Sequence, residues 1–182
     1  IPMTEFWSTA ANPYDPKDGN AQFASYIAHV WGKPICATES FTASPSATAG
    51  RWMTTPFSIK AQGDLAFADG INRLIYHRFT HQPWADDKYL PGMTMGRWGM
   101  HLDRTQTWWP YAKPFFRYQA RCQYLLQRGT FVADALFFAG EDAPNEGGNV
   151  GHEGKGRIAY SLPEGYAWDV CPTDAMHALK VE

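Results

Sequence analysis

The sequence is short of several things that would narrow its function at once. It has no cluster of Lys or Arg: 16 basic residues stand against 18 acidic ones, and the net charge is −2. That balance excludes an electrostatic footprint for nucleic acid or an anionic membrane. No apolar run approaches the roughly 18 residues of a membrane-crossing helix. The first residues, Ile1-Pro2-Met3-Thr4, do not read as a signal peptide. There are only three cysteines, Cys36, Cys122 and Cys171, far apart and odd in number. They form neither a disulfide framework nor a metal spacing, and Cys36 and Cys122 read as small buried hydrophobes.

What the sequence has in plenty is aromatic surface, with 8 Trp, 9 Tyr and 11 Phe in 182 residues. Hydrophobic residues make up 45% and charged residues 19%, the composition of a globular chain with a core. Many of the rings fall in loop-like sequence between Arg51 and Trp109. There they either cap a core or offer apolar faces to the C–H faces of sugar rings.

Apolar runs alternate with helical patterns. Residues 1–7 form a short apolar segment, and Asn12-Pro13-Tyr14-Asp15-Pro16 is turn chemistry. The spacing of Phe23, Ile27, Val30 and Trp31 predicts a helix over 19–31 with those residues on its apolar face. Gly32 stops it and Pro34 prevents its return. A strand follows over 34–39. Thr55 as N-cap and Pro56 at the first helical position open a second helix to about 68. A second strand spans 71–78, and a long loop with a Gly-rich stretch leads to 106. A third helix over 108–127 buries Trp108, Phe115, Phe116, Cys122, Leu125 and Leu126. A strand over 131–138 and a Gly/Asn/Glu/Lys-rich loop over 141–159 complete the pattern. Strand–helix alternation of this kind predicts an α/β fold with parallel strands at 1–5, 34–39 and 71–77.

The polar residues gather where those strands end: Glu5, Glu39, and His77 with Arg78. Glu39 poses the sharpest question. It stands at the exit of an apolar run, Ile35-Cys36-Ala37, and a buried carboxylate is costly unless it is paired, metal-bound or held for chemistry. A structural ion pair with Arg73 or Arg78 is the plain alternative to a catalytic role. His77 and His81 could bind hydroxyl groups, or serve structure. Their strand-end position argues against a zinc pair, because this spacing brings two histidines together when it lies on a helix. Trp84 and Trp98 are candidates for stacking or for loop packing. Asp103 either faces the site or caps the approach to the third helix, with Thr105 or Thr107 as the alternative cap.

Five segments, "MTEFW", "GKPICATESFTA", "GDLAFADGINRLIYHRFTHQPW", "PGMTMGRWGMHLDRTQTWW" and "ARCQYLLQRGTFVADALFFAGEDAPN", resemble glycoside hydrolase family 106, the α-L-rhamnosidases, in the family's order; "LPEGYAWDVCPTDAM" is similar too. The resemblance implies that residues 1–129 are the last three βα units of a catalytic (β/α)8 TIM barrel, cut from a longer chain. Residues 130–182 would begin a flavodoxin-like or amidotransferase-like α/β domain. It implies an inverting, calcium-dependent hydrolysis of α-L-rhamnosyl linkages. Glu39 would be the general base, and Glu5 a substrate or calcium ligand or else a second catalytic carboxylate. His77, His81, Trp84, Trp98 and Asp103 would be substrate contacts. The general acid would lie on an earlier strand, absent here, so this chain alone is expected to be inactive. A rhamnose-containing glycan and the rest of the parent chain are the implied partners, and an extracellular or periplasmic location is implied. Two rivals remain open: a retaining, β-galactosidase-like barrel enzyme with Glu39 as nucleophile, and a non-catalytic sugar-binding or assembly piece.

Overall fold

A computed structural model of the chain describes residues 1–8, 20–44, 49–141 and 162–179. The turn expected at 12–16 and nearly all of the loop expected at 141–159 lie outside these residues. Three parallel strands, β1 (Met3–Trp7), β2 (Ala37–Thr42) and β3 (Arg73–Tyr76), pair in sequence order. Helices α1 (Asn20–Val30) and α2 (Pro56–Ala68) lie between them in sequence, and α3 (Lys113–Leu126) follows. A second parallel pair, β4 (Ala135–Phe138) and β5 (Trp168–Cys171), leads to a short helix, α4 (Thr173–Ala178). No described helix is long and apolar enough to cross a membrane.

The strand expected over 34–39 begins at Ala37 and runs on to Thr42. Pro34 has no N–H for a ladder, and Asn72 occupies the stretch before it. The Asn72 amide donates to the Pro34 carbonyl at 3.0 Å, and its oxygen accepts from the Cys36 N–H at 2.9 Å. Glu39 is therefore inside the strand and not at its exit. The third helix is also shorter than its pattern. A 3-10 turn over Trp109–Tyr111 precedes it, because Pro110 suits such a turn. α2 begins as the sequence requires: Thr55 accepts from the Ser58 N–H at 3.2 Å while Ser58 accepts from the Thr55 N–H at 3.0 Å.

The expected buried faces need correction in two helices. On α1, Phe23 and Trp31 are exposed, and the buried stripe is Ala21, Ala24 and Ala28. Small residues at spacings of three and four let the helix lie close to the first sheet, while Tyr26 packs on Val170 of β5. On α3, Leu125 and Leu126 are exposed and Cys122 is half-buried; Trp108, Phe115 and Phe116 pack on the core as expected. Glutamines do the anchoring instead. Gln119 is buried and accepts from the Tyr76 hydroxyl, Gln123 accepts from the Leu74 N–H at 2.9 Å, and Gln127 donates to the Asn72 carbonyl at 2.6 Å. Their i, i+4, i+8 spacing puts all three on one helix face, along β3. A buried amide that satisfies a strand N–H or a tyrosine hydroxyl is stable where it would be costly alone.

Phe41 is the centre of the core. It is fully buried, with Phe6 edge-on at 4.9 Å and Tyr76 stacked at 6.0 Å. A Cβ on Gly63 of α2 would come within 3.1 Å of the Phe41 ring and 3.3 Å of the Gln119 amide, so glycine sets the approach of α2. The second sheet packs on α1, where His29 and Asp169 pair at 2.9 Å and Phe131 stacks on the His29 ring at 4.1 Å. Removing the Phe41 ring leaves a cavity that these rigid elements cannot close. Phe41→Ala is expected to cost about 3–5 kcal/mol, read as a lower denaturant midpoint at unchanged slope. A loss under about 1 kcal/mol would show that the core does not depend on this ring.

Candidate active site

Register builds the site. β1 pairs β2 with Glu5 opposite Glu39, and β2 pairs β3 with Glu39 opposite Ile75. Side chains alternate along a strand, so Thr38 and Leu74 turn toward the helices and are buried. Glu5, Glu39 and Ile75 form a row on the opposite face, where Ile75 is 44% exposed. Two carboxylates thus leave adjacent strands side by side.

The alternation then breaks. Between Glu5 and Trp7 on β1 the register shifts, so that Trp7 stands opposite Thr42. β2 carries one residue more than β1 over this step, the mark of a bulge. Phe41 takes it up with φ of 62°, a left-handed conformation that is strained for a bulky residue. The result is that Phe41 enters the core while the Thr42 hydroxyl comes 3.4 Å from Glu39 Oε1. His77, just past β3, brings Nδ1 to 3.6 Å from the same oxygen. That nitrogen is buried and has no hydrogen-bond partner. Neither Arg73 nor Arg78 pairs with Glu39. Arg78 instead donates to the Trp98 and Gly96 carbonyls at 3.0 and 3.2 Å. The arginine pair weighed as the alternative for Glu39 is therefore not formed, and its neighbour is His77 instead.

A backbone strip over 99–102 lies on the strand ends. Gly99 N–H donates to the Ala43 carbonyl at 2.7 Å, Met100 N–H to His77 at 3.1 Å, and Leu102 N–H to Arg78 at 3.1 Å. Only glycine serves at its start. Gly99 has φ of 74°, and a Cβ there would stand 2.8 Å from the His77 carbonyl oxygen. On its far side the strip pairs with Arg51, whose N–H donates to Gly99 at 2.8 Å and whose carbonyl accepts from His101 at 3.0 Å.

The structure brings Glu5, Glu39 and His77 together, and Trp98 stands edge-on at 5.7 Å to Trp7, which is further along the strand that carries Glu5. His81 and Trp84 belong to another group. They meet each other at 6.1 Å, and Trp84 meets Tyr89 at 4.8 Å. No hydrogen bond or ring contact of the described residues ties either to Glu39. Asp103 is buried and accepts from the Thr105 N–H and hydroxyl at 2.7 and 2.5 Å, a turn-forming role. Trp7 and Thr42 complete the row unannounced by the sequence. Trp7 shares the parity of Glu5, a signal available from alternation, whereas the bulge hides Thr42. Among the described residues, no three His, Cys, Asp or Glu side chains converge as a metal cluster.

The family model for α-L-rhamnosidase of glycoside hydrolase family 106 matches residues 1–182. A protein of Formosa agariphila, named "Putative beta-glucuronidase", is 37% identical over 186 residues, covering 100% of this chain and 14% of the relative. The solved rhamnosidase from Novosphingobium sp. PP1Y is similar with a TM-score of 0.79 and 34% identity, over 97% of this chain and 16% of the other. The chain thus spans 14% and 16% of the length of these two proteins.

Next to the strand end that carries His77, His101 is buried against Trp52, with Nδ1 3.3 Å from the Thr80 hydroxyl. Burial first, and Arg78 second, hold its pKa below the ordinary 6.5, against the opposing pull of Asp103. A histidine whose folded pKa is depressed takes up its proton more readily when unfolded, so stability falls as pH drops below about 6.5. Wild-type protein is expected to lose more Tm between pH 7.5 and 5.0 than His101→Asn. Equal losses in a thermal melt series would remove His101 from the acid response.

Proposed function

The chain belongs to glycoside hydrolase family 106, and we propose that it forms one flank of the active site of an α-L-rhamnosidase. The observation that carries this reading is the pairing of Glu5 with Glu39 on the open face of the sheet, with His77 beside Glu39. The three strands are read as the last three of a (β/α)8 barrel over 1–129. Their parallel order and intervening helices support this, and barrel enzymes build their sites at the strand C-terminal ends. Residues 130–182 are read as the start of a further α/β domain, supported by the separate parallel pair β4–β5.

In this reading Glu39 is the general base. It accepts a proton from the water that attacks the anomeric carbon, on the face opposite the leaving oxygen. A general acid from elsewhere in the longer polypeptide protonates that oxygen, and the product is inverted. The Thr42 hydroxyl and His77 hold Glu39 in place. Acid and base in an inverting site stand roughly 6.5–9.5 Å apart, with the water between. Adjacent strands bring the Cα atoms of Glu5 and Glu39 to about 4.8 Å. This closeness favours Glu5 as a binding group and not as the acid. The same closeness gives a retaining reading its one support, since a nucleophile and acid stand about 5–5.5 Å apart. Trp98 and His77 are the nearest candidates for contacts to the sugar; His81, Trp84 and Asp103 take part only if the substrate extends over the loops.

Calcium fits part of this donor set. Two carboxylates side by side repel unless a cation or a shared proton intervenes, and no Lys or Arg among the described residues pairs with either. Glu5, with Glu39 beside it, offers the hard oxygens calcium takes, but calcium needs six to eight. Water, substrate hydroxyls and other parts of the polypeptide would supply the rest. When bound, the ion would neutralise the carboxylates and fix sugar hydroxyls.

The test is kinetics of the full-length polypeptide on an aryl α-L-rhamnoside, with an aryl β-glucuronide alongside because of the glucuronidase name of one relative. Glu39→Gln is expected to lower kcat by about 10²–10⁴ with little change in KM. Glu5→Gln is expected to raise KM or the calcium requirement. A kcat within twofold of wild type for Glu39→Gln would move the base elsewhere. Retention of configuration in the first-formed sugar, followed by NMR, would replace the inverting reading with the retaining one.

A further inference from the structure

Trp52 is 44% exposed, yet it is held as firmly as a core residue. Its indole N–H donates to the Thr105 hydroxyl at 2.7 Å, and that hydroxyl donates to Asp103 at 2.5 Å. Its ring lies on His101 at 4.4 Å. Asp103 and His101 are each 2% exposed. Gln106, also buried, donates to the carbonyls of Arg51 and His101 at 2.8 and 2.7 Å and so fixes the backbone beneath the ring. Burying a carboxylate, an imidazole and an amide is costly. A ring that only filled an apolar gap would need no such mount. With its one donor already used, Trp52 has only its π surface to offer.

That surface lines an open groove with Leu90, Pro91, Thr105, Gln106 and Thr107. The groove adjoins the strand end that carries His77. From His77–Arg78 the backbone passes to the strip over 99–102 and then to Arg51–Trp52 by direct hydrogen bonds. Two such backbone spacings amount to about 10 Å. A single sugar ring over Glu39 does not reach that far; the next rings of a glycan do.

We propose that this groove is a carbohydrate subsite, in which Trp52 stacks on a pyranose ring of the leaving-group portion of the glycan. Its chemistry is the match between an aromatic face and the C–H face of a sugar, with the exposed Thr107 available to a ring hydroxyl. The inference rests on the glycosidase reading for the position of the cleaved bond. It does not depend on which carboxylate is the base.

The experiment uses the full-length polypeptide and two substrates, an aryl α-L-rhamnoside and a rhamnosyl oligosaccharide of at least three sugars. For Trp52→Ala, kcat/KM on the oligosaccharide is expected to fall about three- to tenfold further than on the aryl glycoside, the scale of one aromatic stacking contact. Trp52→Tyr, which keeps a ring, should recover most of the difference and serves if the alanine variant does not fold. Calorimetric titration of the same oligosaccharide gives a readout independent of turnover. If the wild type binds the oligosaccharide through Trp52 but hydrolyses neither substrate, the subsite stands and the rhamnosidase reading falls. If both substrates are hydrolysed and the variants change them equally, or not at all, the rhamnosidase reading stands and the subsite falls. Loss of Tm in Trp52→Ala and Trp52→Tyr with unchanged oligosaccharide affinity would make the groove a packing surface for the rest of the polypeptide.

Discussion

The parallel register of β1, β2 and β3 is the constraint on which the rest depends. With Glu5 opposite Glu39 and Glu39 opposite Ile75, one row of side chains is committed to the open face and the neighbouring row to the helices. A slip of one residue on β2 would exchange Thr38 for Glu39 and drive a carboxylate into a core of Phe6, Phe41, Ile59 and Leu74. The cost of an unpaired buried charge forbids that slip. Packing and chemistry therefore specify the same register, the former by what it excludes and the latter by what it uses.

The fold departs from regularity where the site needs a second polar group on the same strand. Strict alternation would put Phe41 on the open face and Thr42 against the helices. The bulge reverses both, at the cost of a left-handed Phe41. Such strain persists only when the surroundings over-determine it. Here they are two aromatic neighbours and the close approach of α2 allowed by Gly63. The core ring and the Glu39–Thr42 contact are two outcomes of one backbone irregularity.

Above the strands, the loops are ordered by buried polar groups more than by apolar ones. Arg78 gathers the carbonyls of Gly96 and Trp98, Asp103 gathers Thr105, and Gln106 joins Arg51 to His101. The same logic holds on α3, where three glutamines and not its leucines meet β3. Hydrogen bonds are directional where apolar contacts are not. These networks fix the position of His77, Trp98 and Trp52 with a precision that hydrophobic cover alone would not supply.

β5 and α4 went unannounced, but by itself the sequence determined the order of elements as far as β4, the parallel pairing of the first three strands and the capping of α2. Each follows from local chemistry: apolar runs, Pro34, Gly32 and Thr55-Pro56 act on their immediate neighbours. Its motifs also carried the family, and the family model matches the whole chain. It did not determine which side chains share the site. Glu39 read as a strand exit because the apolar run ends there, whereas strand length is set by pairing with Trp7 and Ser8 and by the bulge. His81, Trp84 and Asp103 looked equivalent to Trp98 in a loop of 28 residues, 79–106. Only the folded backbone turned Trp98 toward Trp7 and left the others in their own contacts. The exposed leucines of α3 and the alanine stripe of α1 were illegible for the same reason. Periodicity ranks residues by hydrophobicity, but burial is decided by how closely neighbouring elements approach, and that distance is a property of the tertiary structure alone.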